Sequence, residues 1–151
     1  MSLGQLDQAK AAARKAVELQ PPAASAHSTL AVIAILQKKP DVAMREAELA
    51  PRGVIHDVAV TLAQQTRGDQ PQSDAALKVL IEQHAADDPL GIAIVCAYRG
   101  EADKVFEWLD RAYELHEPRL IGNLTNPFLE RYRPDPRFAA LCNKMGLPVP
   151  H

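Results

Sequence analysis

Five histidines, two cysteines and several carboxylate runs are the residues of this chain whose types could do chemistry. A metal site needs His, Cys or acidic ligands at short fixed spacings. His27, His56, His84, His116 and His151 are scattered, and none stands with another His or Cys at such a spacing. Cys96 and Cys142 lie far apart among apolar neighbours and read as buried free thiols. No Ser or Cys nucleophile has a recognisable base nearby in sequence. Gly53, Gly68, Gly91, Gly100 and Gly122 are isolated, so no loop has the glycine-rich form that cradles phosphate. The acids of "EAELAP" and "DRAYELHE" fit solvated helix partners of Lys and Arg. The expectation is therefore no catalytic residue, no metal and no cofactor. Two features keep two readings each. Arg131, Arg133 and Arg137 either bridge and cap around Asp135 or meet an acidic partner. Trp108, the single tryptophan, either seals a neighbouring helix or offers a ligand platform.

The elements that carry these residues follow from composition and period. The chain has 151 residues, enough for one domain with a real core; 47% are hydrophobic and only 5% aromatic. Apolar content dominated by Ala, Leu, Val and Ile suits close helix–helix packing and is poor for a β-sandwich. The formal net charge is -2, from 17 basic and 19 acidic residues. No strong field of either sign results, which argues against nucleic acid and anionic membrane as partners. No signal peptide is expected, no apolar run is long enough to span a bilayer, and the cysteine usage fits a bacterial-style cytoplasmic setting. Met1-Ser2-Leu3 reads as an expression leader and is set aside.

From Val105 the apolar residues run Val105, Leu109, Ala112, with Phe106, Trp108 and Tyr113 beside them, the spacing of an amphipathic helix that Pro118 is expected to stop. A like helix runs from Gly4 to Pro21, with Leu6, Ala9, Ala13, Ala16 and Leu19 on its stripe. Ala9, Ala13 and Ala16 recur about 34 residues on as Ala43, Ala47 and Ala50, then less regularly as Ala76 and Leu80, and as Val105 and Leu109. A second series alternates with the first: Leu30, Ala31, Ala34; Val58, Ala59, Leu62; Ile92, Ala93, Cys96. Two helices per period of about 34, with small residues where they cross, mark a helical solenoid. Larger side chains at the crossings would wedge the pairs apart. After Pro118 the pattern changes. Asp135 is set to cap a terminal helix with Pro136 in its first position, Phe138, Leu141, Cys142 and Met145 form its apolar face, and Gly146 can close it.

At these positions the sequence resembles a tetratricopeptide repeat (TPR) array. Gly4, Ala9, Ala13, Ala16 and Pro21 match the second half of a repeat; residues 24–51, 52–86 and 87–118 match three more, the middle one with a longer turn at Gly68 to Ser73. Residues 119–148 are the expected cap, and this tail resembles the closing segment of bacterial TPR regions that follow nucleotide-cyclase, protein-kinase or winged-helix domains. The resemblance implies an all-α, right-handed helical-hairpin solenoid of about 3.5 repeats with a C-terminal capping helix.

The resemblance also implies a function: a non-catalytic scaffold whose first helices line a groove for a peptide or helix of a partner protein. The family's groove positions fall on Ser28, Val32 and Ile35, on His56, Val60 and Ala63, and on Leu90, Ile94 and Ala97. The set is mostly apolar. It lacks the Lys, Arg and Asn with which chaperone-adaptor TPRs grip a carboxylate, so that role is not expected. These residues could equally pack on one another or on the tail. The competing reading is a regulatory or dimerisation segment of a signalling enzyme or transcription regulator, and the chain is expected to be part of a larger bacterial protein. Because the first helix lacks a preceding partner, its alanine stripe is expected to be covered by an upstream helix or by a second copy, giving a homodimer.

Overall fold

The computed structural model describes residues 3–19, 24–50 and 53–148, and among these the regular structure is all helical. Pro21, Pro51 and His151 lie outside the described residues, as do the side chains of Ala16, Leu19 and Ile55. In chain order the helices are α1 (Leu3–Leu19), α2 (Ala24–Leu36), α3 (Pro40–Leu49), α4 (Val54–Thr66), α5 (Gln70–His84), α6 (Pro89–Arg99), α7 (Ala102–Glu114), α8 (Leu120–Asn123) and α9 (Pro136–Lys144), with a 3-10 turn at Glu130–Tyr132 before α9. None of the described helices is long and apolar enough to cross a membrane. The chain divides into two compact units, Met1–Glu82 and Gln83–His151.

In the first unit α2 packs against α1, α3 and α4, and α3 packs against α4. The crossings are made by small residues: Ala31, Ala47 and Ala59 meet in one cluster, and Val60 packs on it. Ala43 and Ala63 are fully buried as well. Nearly all the periodic positions are interior, which is what close approach of helices demands. The stripe of α1 is in contact with α2: Ala13 meets Ala26 and Leu30, Leu6 is buried, and Ala9 is half-buried.

In the second unit α6 pairs with α7, which also meets α8 and α9. Here large side chains do the packing. Tyr98 meets Phe128 edge-on at 5.3 Å between ring centroids, and Phe106 meets Tyr132 at 6.2 Å. The Asp135 carboxylate accepts the Arg137 amide at 2.9 Å, Pro136 follows it, and Phe138, Leu141 and Cys142 are buried, as the sequence predicts. Arg137 also reaches Asp103 at 2.8 Å, so for this arginine the bridging and capping reading holds.

Two helix ends differ from expectation. The stretch at Gly68 to Ser73 is not a long turn, because α5 has begun by Gln70. The Asp69 carboxylate accepts the Gln72 amide at 3.3 Å, and Pro71 lies in the first turn, where its missing N–H is not needed. Pro118 does not stop α7, which ends four positions earlier at Glu114. His116 turns left-handed at φ +54°, donating to the Tyr113 carbonyl while Glu117 donates to that of Ala112. That pair of bonds closes the helix before the proline is reached. Lys38 closes α2 the same way at φ +56°.

Candidate functional site

The nine sequence-predicted groove residues fall into two classes of exposure. Ile35, Ala63, Leu90 and Ala97 are buried by the chain itself, while Ser28, Val32, His56, Val60 and Ile94 are half-buried and retain surface. Ser28 and Val32 stand one turn apart on α2, and His56 and Val60 one turn apart on α4. Since α2 and α4 touch, these four belong to neighbouring helices of the first unit. Two polar contacts hold the frame. His27 Nδ1 lies 2.8 Å from Glu46 Oε2, both side chains nearly buried, tying α2 to α3. His56 Nδ1–H donates to the Ala50 carbonyl at 3.1 Å.

In the second unit the predicted positions meet the tail. The Tyr132 hydroxyl donates to the Ala97 carbonyl at 2.8 Å, and burial raises the phenol's pKa, keeping it a donor. Asp88, buried at the start of α6, accepts the Gly91 amide at 3.0 Å and pairs with Arg119, which also reaches Glu117 at 2.9 Å. Burial works against the Arg119 charge, but the two acids outweigh it and raise its pKa.

Both cysteine thiols are buried. Burial, with a smaller push from Glu101, drives the Cys96 thiol up to about 12, so it is protonated at ordinary pH; burial also raises Cys142. Burial disfavours the Glu101 carboxylate, yet hydrogen bonds from Arg99 and Lys104 leave its pKa below the ordinary value. Among the described residues no cluster of His, Cys, Asp or Glu could hold a metal ion.

The second unit has two further surface features, one that sequence reasoning misses and one that Trp108 marks. A cleft of about 270 Å³ is lined by Tyr113, His116, Glu117, Pro118, Leu120, Ile121 and Met145. Ile121 in its lining stays 59% exposed. The other is the outer face of α7. Trp108 there is half-buried, with the Arg111 guanidinium over its ring at 5.6 Å, while Val105, Phe106, Leu109 and Ala112 fill the core.

The chain matches no protein-family model, no curated protein and no solved structure.

Proposed function

We propose that the chain is a TPR-like module of about 3.5 helical hairpins that binds a peptide or helix of a partner protein and does no chemistry itself. The observation that carries the reading is that α2 packs on α4 as well as on α3, through Ala31, Ala47 and Ala59. In stacked hairpins the first helices of successive repeats lie side by side and present a common face. Ser28, Val32, His56 and Val60 are half-buried on that pair, and an incoming apolar anchor would complete their burial.

The test is selection of peptides from a random display library against the intact chain. Enriched peptides should bind wild type and lose at least about tenfold in affinity to Val32→Glu and to Val60→Glu. Ile121→Glu, on the second unit, should bind as wild type does. Peptide binding that ignores both valine substitutions, with helix content unchanged, would overturn the assignment of the face; no enrichment at all would overturn the binding reading.

A further inference from the structure

The outer face of α7 carries its own pattern, independent of the groove reading. Lys104, Glu107, Trp108, Arg111, Glu114 and Leu115 recur at spacings of three and four, so they share one side of the helix, opposite the core stripe. Leu115 is 51% exposed and Trp108 half-buried, which leaves an apolar pair unpartnered among charges. Glu107 and Glu114 make no ion pair among the described residues, and Arg111 lies over Trp108 instead of pairing with either. Lys104 reaches Glu101 at 3.1 Å but keeps 56% of its side chain exposed.

Along the helix the signs read plus, minus, plus, minus at 104, 107, 111 and 114, with the tryptophan near the middle. Run antiparallel to itself, that pattern sets each plus against a minus. We infer that this face is a self-association surface and that its occupant is α7 of a second copy of this chain. A two-fold axis beside Trp108 brings Arg111 of each copy to Glu107 of the other and Lys104 to Glu114. The two tryptophans meet near the axis. An isologous contact must be self-complementary, and an alternation that maps onto its opposite when reversed satisfies this condition. A uniformly acidic face would call for a basic partner; the central arginine makes this face fit itself. Trp and Arg are also the residue types that dominate binding energy at interfaces. One face of a 13-residue helix makes a small contact, so self-association belongs in the range of about 10 to 100 µM.

Sedimentation of the intact chain from about 10 µM to about 1 mM tests this. Wild type should pass from monomer to dimer. Arg111→Glu alone, and Glu107→Arg alone, should each weaken association at least about tenfold, and their equimolar mixture should restore it as a heterodimer. Trp108→Ala, checked for unchanged helix content, should weaken it as well. A wild type that stays monomeric up to about 1 mM overturns the inference. So does a dimer that neither charge variant affects, or a mixture that fails to rescue although both variants keep native helix content.

Discussion

The two units solve the same packing problem with opposite materials. In Met1–Glu82 the helices meet through alanines, and the larger residues fill in around the crossings. In Gln83–His151 the α6–α7 pair is closed by aromatic rings from the segment after it: Phe128, Tyr132 and Phe138. Small residues gain by letting backbones approach, so dispersion is collected from main-chain and Cβ atoms along the whole contact. Large residues gain by the area each one buries. The first design should be intolerant of enlargement and the second intolerant of truncation.

The largest expected effect is therefore Phe138→Ala. Phe138 is fully buried, and removing a buried aromatic costs about 3–5 kcal/mol in lost transfer energy and cavity. Cys96 and Cys142, both in this unit, give a local readout. In wild type at pH 9 iodoacetamide should hardly touch Cys96, since its thiol is held protonated up to about 12. In Phe138→Ala labelling of both cysteines should accelerate by orders of magnitude. If labelling stays slow, the tail does not close this unit.

Ala31→Phe should come next, at about 1–3 kcal/mol of overpacking. Its side chain would have to fit where Ala31, Ala47 and Ala59 meet. Ala12→Phe, on the exposed side of α1, is the control and should fall within about 0.5 kcal/mol of wild type. Chemical denaturation followed by circular dichroism ranks the pair; equal midpoints would mean that the alanine crossing is looser than its burial says.

Asp88→Ala follows, at about 1–2 kcal/mol, the worth of a helix cap, with the lost partner of Arg119 adding to it. The carboxylate caps α6 and holds Arg119 from 31 residues further on. Arg119 keeps Glu117, which limits the damage. The expected signature is faster amide exchange at Gly91 and at the start of α6. Unchanged exchange there would show that the Asp88 cap adds nothing to the start of α6.

What was legible in the sequence was local or periodic. The cap at Asp135, the closing Gly146 and the stripe of α7 each depend on residues within a few positions, and each is as expected. The small residues at repeat spacing are interior because a crossing tolerates little else. Long-range polar contacts left no trace: nothing in "ERYRPD" announces that the Tyr132 hydroxyl reaches the Ala97 carbonyl. That contact helps explain the site as well. The resemblance places Ala97 in a groove, but the segment that covers it lies 35 residues downstream. The resemblance places Ile35, Ala63 and Leu90 in the groove as well, but a repeat pattern fixes a residue's helical phase without telling a lining residue from one beneath it. The end of α7 was misread for a different reason. Proline is a visible stop, whereas the residue that does stop the helix is a histidine in a conformation that usually calls for glycine.

That last feature gives a matched test, because each unit has one such end. Lys38 closes α2 at φ +56° and His116 closes α7 at φ +54°, each with the same two backbone bonds. A side chain in the left-handed region costs about 1–2 kcal/mol in contact with its own carbonyl, and glycine removes that cost. Glycine also loses about 0.5–1 kcal/mol more backbone entropy on folding, so the net gain of Lys38→Gly or His116→Gly should be no more than about 1 kcal/mol. The strain is local and indifferent to what packs nearby, so the two gains should be similar although the units are built differently. Where the gain appears should differ. Native-state hydrogen exchange should slow in α2 and α3 for Lys38→Gly, and in α6 and α7 for His116→Gly. Equal slowing throughout the chain for either variant would mean that the two units open as one cooperative body. In that case the contrast between alanine crossings and aromatic closure would describe composition alone, with no separate stability behind it.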